Sequence, residues 1–362
     1  VALVSPYALS VPGGVQEQVL AMSRELSARG DEVLVLAPDH RDRGPHDTPA
    51  RVLCLGPLAS VPANGSRAPL TLSPGAARRA RDAMADFAPS VVHLHEPFAP
   101  VLGYAVLHSR RWPSVGTFHR SGGGPAYRFT GALLRPLGRG LDVVAAVSDS
   151  AAATVSRGAG LSAEVLYNGF ELARFREFPR VVNPEPVVLF VGRLEERKGA
   201  VTLVEAALAQ TGERPWRGVL LGDGPQRAAL EDAAAGSDRV AFLGAVDDAT
   251  KRRWLRRADV CVAASTHGES FGLVILEAMA SETPVVVSDI PGYREAAGGF
   301  ARLFAPGDAV SLAAAIDAAL GAKDRPEIDA ARAHAERWSM AGLMDRYEEL
   351  YERARRRHGA ER

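Results

Sequence analysis

Lysine is nearly missing from this chain. Of 43 basic residues in 362, only Lys198, Lys251 and Lys323 are lysine and the other 40 are arginine. Where an ammonium persists against that bias, a compact point charge is favoured over a planar guanidinium. Cysteine is scarce too. Cys54 and Cys261 lie in different halves inside apolar runs, so they are expected as buried free thiols in a reducing compartment, with no disulfide framework and no zinc or redox motif. Net charge is zero, with 43 acidic residues against 43 basic, which gives no global field to recommend nucleic acid as a partner. No apolar run nears the roughly 20 residues of a membrane span. The opening Val1-Ala-Leu-Val-Ser-Pro6 has the character of a strand and not of a signal peptide. A soluble, cytoplasmic protein is the expectation.

What is present is a regular alternation. Strand-like runs at Val1–Ser5, Glu32–Leu36, Val91–Leu94, Val115–Phe118 and Val143–Val147 are separated by helical patterns such as Val15–Ala28. The alternation restarts after the proline-bearing stretch Pro179–Pro186, with runs at Val187–Val191, Val219–Leu221, Val240–Leu243, Val260–Ala263 and Val285–Val287. Such a pattern predicts α/β architecture, with two Rossmann-like, doubly wound parallel-sheet domains facing across a cleft. The expected boundaries are 1–178 for the first domain, 179–186 for a linker and 187–340 for the second domain. A final helix in 341–362 can pack back across the boundary. Ligands of such sheets gather beyond the carboxyl ends of the strands.

The run His267-Gly-Glu-Ser-Phe-Gly-Leu-Val-Ile-Leu-Glu-Ala-Met-Ala280 sets Glu269 and Glu277 eight positions apart across a glycine turn and the start of an apolar helix expected near Phe271. Backbone NH groups at a helix start favour an anion, and two flanking carboxylates suit hydroxyls on either side of it, as in a sugar nucleotide. An amphipathic helix with a solvated glutamate at each end fits the same residues. Strand Val187–Val191 runs into Gly192-Arg-Leu-Glu-Glu-Arg-Lys-Gly199, so Arg193 and Lys198 arrive at a strand exit and can neutralise a diphosphate leaving group. A self-paired surface turn is the plainer alternative. Asp248, in Val246-Asp-Asp-Ala-Thr-Lys251, can accept the paired NH donors of a guanine edge with Lys251 nearby, or it can cap the next helix. Val11-Pro-Gly-Gly-Val-Gln16 offers bare NH groups at Gly14 but does not match G-x-G-x-x-G, which disfavours NAD. His119 is delivered to the end of Val115–Phe118, where it can meet a sugar hydroxyl. His93 and His95 share one face of their strand, and either can be a satisfied structural histidine; no metal set accompanies them. In Pro74–Phe87, Arg78, Arg79 and Arg81 are assigned to one side of a helix with Ala80, Met84 and Phe87 on another. Such a face suits anionic headgroups, at roughly 1 kcal/mol per cation, or plain water.

Together these segments resemble the retaining glycosyltransferases of the GT-B fold across nearly the whole chain. Ser5-Pro-Tyr7, Val11–Gln16, Asn64-Gly-Ser66, His95-Glu-Pro97, Thr117-Phe-His119, Ala146–Asp149, Arg197-Lys-Gly199, Val246–Lys251 and Gly268–Gly272 resemble the actinobacterial phosphatidylinositol mannosyltransferase family in particular. The resemblance implies GDP-mannose as donor, an α-mannosyl product, and no obligatory cofactor or protein-ligated metal, a divalent cation being at most stimulatory. It implies phosphatidylinositol as acceptor and a peripheral position on the inner face of the cell membrane. By the same resemblance Arg193 and Lys198 hold the diphosphate, Glu277 the ribose, and Val246, Asp248 and Lys251 surround guanine. Glu269, Ser270, Phe271 and Gly272 hold the hexose, His119 stands near the reacting carbon, and Gly14 lines the phosphate side. Tyr7, Gln16, Asn64, Ser66 and Arg67 are implied on the acceptor side. Ser10, Pro69 and Gly124 depart from the family pattern there, where an acid, a cation and a lysine are usual. Rival readings are a transferase using a UDP sugar on a soluble acceptor, a sugar-nucleotide epimerase, and a nucleotide-binding module without catalysis.

Overall fold

The computed structural model of the chain describes residues 1–360 other than 12, 40–45, 64–65, 121–133, 211–214, 268, 270–271 and 323, with the backbone alone for 60–63 and 66–68. The chain forms two compact units, Val1–Phe170 with Met340–Arg362, and Glu171–Ser339.

In the first unit seven parallel strands line up in the order β3-β2-β1-β6-β7-β8-β9. They are β1 (Ala2–Val4), β2 (Leu34–Ala37), β3 (Arg51–Cys54), β6 (Val92–His95), β7 (Ser114–Phe118), β8 (Val143–Ala146) and β9 (Glu164–Val165). Every residue of β1, β2, β6 and β7 is buried, as a sheet covered on both faces requires. The remaining two strands, β4 (Ala59–Ala63) and β5 (Ser66–Leu70), pair antiparallel as a separate ribbon.

The helix Met340–Ala360 belongs to this unit. Met340, Leu343, Met344, Tyr347, Leu350, Tyr351 and Ala354 recur at three- and four-residue spacing and bury among Leu3, Val19, Met22, Val115 and Val143. Two of its apolar residues carry a polar tip that finds a partner. The Tyr347 hydroxyl lies 2.9 Å from Thr117 Oγ1 and the Tyr351 hydroxyl 2.8 Å from His93 Nδ1. Arg29 ties the helix from outside, donating to Asp345 at 2.8 Å and Glu348 at 2.9 Å.

In the second unit six parallel strands take the order β12-β11-β10-β13-β14-β15. They are β10 (Val187–Val191), β11 (Arg217–Leu221), β12 (Val240–Gly244), β13 (Val260–Ala263), β14 (Val285–Ser288) and β15 (Arg302–Phe304). The order reverses between β10 and β13, the switch point of the sheet, and ligands of such sheets gather at the carboxyl ends of the strands there.

Residues 171–178, expected in the first domain, pack with the second. Phe175 is buried and Arg174 pairs with Asp248 at 3.6 Å. The stretch expected as a linker is anchored there too, since Arg180 donates to the Glu282 carbonyl at 2.7 Å and Asn183 to that of Arg257 at 2.9 Å. The two thiols also differ from expectation. Cys261 is buried in β13, whereas Cys54, on the edge strand β3, is only half-buried.

Candidate functional site

At the switch point of the second unit, the loop after β10 and the loop after β13 bring a cation pair onto one carboxylate. Glu269 Oε1 accepts from Arg197 Nη1 at 2.7 Å and from the Lys198 ammonium in a very short contact. Ser265 Oγ lies 3.4 Å from the same oxygen and takes a 2.7 Å bond from the Tyr293 hydroxyl. Two glycines make the approach possible. Gly199 has φ +65°, and a Cβ there would lie 2.0 Å from the Ala264 carbonyl oxygen, so no other residue lets the two loops pack. At Gly272, φ +72°, a Cβ would lie 2.6 Å from the Tyr293 ring.

Gly272 caps the helix Leu273–Ala280, so the helix starts two residues later than its expected position near Phe271. Glu277 sits on it and accepts from Lys251 Nζ at 2.9 Å. Lys251 also reaches Asp248 Oδ1 at 3.2 Å, and Arg252 approaches Asp248 Oδ2 at 3.3 Å. Burial alone would lower the Lys251 pKa, but Glu277 and Asp248 outweigh it and raise the value, fixing the ammonium. The capping alternative for Asp248 falls to its neighbour: Asp247 accepts from the Thr250 NH at 2.7 Å, and Asp248 is the first residue of the helix Asp248–Arg257. Thus two of the three lysines each bind one glutamate of the pair spaced by eight. Such a set can exchange internal ion pairs for a diphosphate on the cations and hydroxyls on the carboxylates.

At the carboxyl end of the first unit's sheet, histidines 93, 95 and 119 form a ladder. The rings of His93 and His95 stack at 4.5 Å, and His95 Nδ1 lies 2.9 Å from His119 Nε2. His93 is satisfied by Tyr351 and by Thr117 Oγ1 at 2.7 Å, the structural role foreseen for it. Burial pushes His119 down to about 3 and His95 well below the usual imidazole range, so both rings are neutral at physiological pH. Glu96 holds the main chain: its Oε1 accepts from the NH groups of His119 and Arg120 at 2.6 and 2.7 Å. Glu96 does so from φ +45°, a strained conformation for a side-chain-bearing residue.

Two family models divide the chain between them, "Glycosyltransferase Family 4" over residues 12–174 and "Glycosyl transferases group 1" over 185–322. The phosphatidyl-myo-inositol mannosyltransferase of Mycolicibacterium smegmatis is 37% identical over 327 residues, covering 87% of this chain and 83% of its own. The protein of the same name from Mycobacterium leprae is 35% identical over 329 residues, covering 88% and 87%. The chain belongs to the phosphatidyl-myo-inositol mannosyltransferase family of glycosyltransferases. The crystal structure of a Rickettsia africae glycosyltransferase superposes with a TM-score of 0.75 over 98% of both chains at 16% identity, which establishes the shared GT-B fold.

Other expected site residues of the glycosyltransferase are placed as follows. Arg193 is exposed and approaches Glu195 at 3.6 Å, so in this arrangement Arg197, not Arg193, meets Glu269. Val246 lies just beyond β12, half-exposed. Gly14 opens the helix Gly14–Ala28, and a Cβ there would meet open space. Gln16 is buried, its amide 3.4 Å from the Ala8 carbonyl. Tyr7 is half-buried, and burial followed by the nearby Glu96 pushes its hydroxyl up to about 12. Ser270, Phe271, Asn64 and Gly124 lie outside the described residues, as do the side chains of Ser66 and Arg67.

One surface assignment is corrected. In the helix Pro74–Phe87, Arg78 and Arg81 are exposed, but Arg79 turns inward and donates to the Gly56 carbonyl at 2.9 Å. Residues 79 and 81 stand about 200° apart on a helix of 3.6 residues per turn, so the three arginines do not share a face. Sequence reasoning also missed the participation of Arg197, Ser265 and Tyr293. For Arg197 the signal is its place beside Lys198 in the segment Arg197-Lys-Gly199, which carries part of the resemblance. No helix among the described residues is long and apolar enough to cross a membrane.

Proposed function

We propose that this glycosyltransferase moves a mannosyl group from GDP-mannose to a hydroxyl of phosphatidylinositol with retention of configuration. The observation that carries this reading is the pairing of Lys198 with Glu269 and of Lys251 with Glu277 at a Rossmann switch point, in a chain 37% identical to a phosphatidyl-myo-inositol mannosyltransferase. Lys198, with Arg193 and Arg197, neutralises the diphosphate as it departs, a task that other designs give to a metal. Relieved of its cations, Glu269 accepts sugar hydroxyls, while Glu277 takes the ribose and Asp248 the guanine edge. His119 contacts the hexose near the reacting carbon. The departing phosphate, on the same face as the incoming hydroxyl, helps remove its proton.

Arg78 and Arg81 favour an anionic membrane surface, which supports a peripheral position on the inner face of the membrane. A soluble acceptor is the second reading. Ser10, where the lipid enzymes carry an acid, spends both its NH and its hydroxyl on Asp39, at 3.0 and 2.9 Å. The deciding experiment offers GDP-mannose with phosphatidylinositol, inositol phosphate or small alcohols in parallel, and repeats each with UDP-glucose. Mannosylated phosphatidylinositol is the expected product. Transfer from UDP-glucose in preference to GDP-mannose would remove the guanine assignment, and transfer only to soluble acceptors would remove the lipid.

A further inference from the structure

The shared bond of the two histidines leaves one proton to be placed. His95 Nδ1 and His119 Nε2 are 2.9 Å apart, and both rings are neutral, so one of the two nitrogens carries the hydrogen. The other nitrogen of His95, Nε2, is buried and has no hydrogen-bond partner among the described residues. A proton there would be an orphaned buried N–H, which is rarer and costlier than an unused lone pair. His95 therefore carries its hydrogen on Nδ1 and donates it to His119 Nε2. His119, forced to accept at Nε2, keeps its own hydrogen on Nδ1. The ring planes are held throughout: His93, locked by Tyr351 and Thr117, stacks on His95 at 4.5 Å, and Glu96 fixes the backbone of His119.

We infer that His95 is a positioning residue that sets the tautomer of His119, so that His119 offers an Nδ1–H donor to its ligand. The consequence is chemical. Such a ring grips an oxygen lone pair of the sugar or phosphate, and it cannot act as the base that deprotonates the acceptor hydroxyl. Only the identity of that ligand rests on the function proposed above; the proton placement does not.

Nitrogen-15 spectra of the imidazoles in the full, ligand-free chain read the tautomers directly, with His119→Asn and His95→Asn serving to assign the signals. The expected spectrum has His95 and His119 both protonated at Nδ1. In His95→Asn the amide nitrogen takes the Nδ1 position and still donates, so His119 keeps its tautomer. In His95→Leu the donor is lost and the His119 proton is free to move to Nε2. Transfer by His95→Leu should lose roughly tenfold in kcat/KM, with His95→Asn falling by less than about threefold. An Nε2–H on His119 in the wild-type chain would overturn the inference even if His95→Leu fails to fold. So would equal loss of transfer in the two folded variants, since the ring would then merely fill space. The expected tautomer without any mannosyl transfer would instead overturn only the proposed function.

Discussion

At the scale of single residues, the most legible feature of the chain was its rarest cation. Lys198 and Lys251 stand out against 40 arginines, and each meets one glutamate of the spaced pair. Arg197 was hidden by the same statistic, because nothing in composition separates one arginine from the rest. Ser265 and Tyr293 were hidden for another reason. Ser265 lies four residues before Glu269 with nothing in its type to mark it, and Tyr293 bonds to Ser265 only when the ends of β13 and β14 are brought together, a tertiary fact with no local signature. The bias against lysine makes a sharp prediction. Lys198→Ala should weaken GDP binding by roughly ten- to a hundredfold, the worth of a charge-assisted bond. Lys198→Arg should recover little of it, because a forked guanidinium does not reproduce the compact ammonium that meets Glu269. Calorimetry with GDP measures both, and full recovery in the arginine variant would show that charge alone is required.

At the scale of elements, strands with continuous apolar runs were legible and those without were not. β1, β2, β6, β7, β8, β10, β11, β12, β13 and β14 fall within two residues of their expected positions, because strands of a covered parallel sheet are rich in apolar residues. β3, β9 and β15 escaped notice. Each begins with a charged residue and lies at a sheet edge, where partial exposure dilutes the apolar signal. The ribbon of β4 and β5 was marked by the dipeptide Asn64-Gly65, a recognised hairpin signal, but Pro62 and Pro69 argue against strands and masked it.

The helix Pro74–Phe87 gives a prediction that separates its two kinds of arginine. Replacing Arg78 and Arg81 by glutamine should weaken sedimentation with anionic vesicles, at roughly 1 kcal/mol per cation removed, and leave thermal stability unchanged. Replacing Arg79 should do the reverse. Its bond to the Gly56 carbonyl contributes about 1 kcal/mol to folding, while vesicle binding should stay within experimental scatter. Equal vesicle binding by the wild-type chain and the Arg78/Arg81 variant would argue against a membrane role for this helix.

At the scale of the whole molecule, the two units differ in how the chain builds them. The second is one uninterrupted stretch, Glu171–Ser339, whereas the first needs Met340–Arg362 as well as Val1–Phe170. The terminal helix contributes Met340, Leu343, Met344, Tyr347, Leu350 and Tyr351 to the first unit's core. At roughly 1.5–3 kcal/mol for each large buried side chain, their loss would match or exceed the ordinary 5–15 kcal/mol stability of a domain. Expressed alone, residues 1–170 should therefore fail to fold cooperatively, and a peptide spanning 340–362 should restore a cooperative transition. Residues 171–339 alone should fold and, because positions 193 to 277 are all present, should bind GDP with near full affinity. The acid limit of that fragment follows from Glu282. Burial would raise its carboxyl pKa, but bonds from Arg325 and Arg256 outweigh it and hold the value down to about 2, from an ordinary 4.5. A depressed acid stabilises the folded state above its unfolded pKa, so the contribution is complete above about pH 4.5 and disappears as pH falls toward 2. Glu282→Gln should cost about 2 kcal/mol near neutral pH, discounted because Arg325 reaches water, and should flatten the acid side of the stability curve. Urea titrations of the fragment and its variant across that range test the assignment, and an acid limb as steep in the variant as in the parent fragment would place the sensitivity elsewhere.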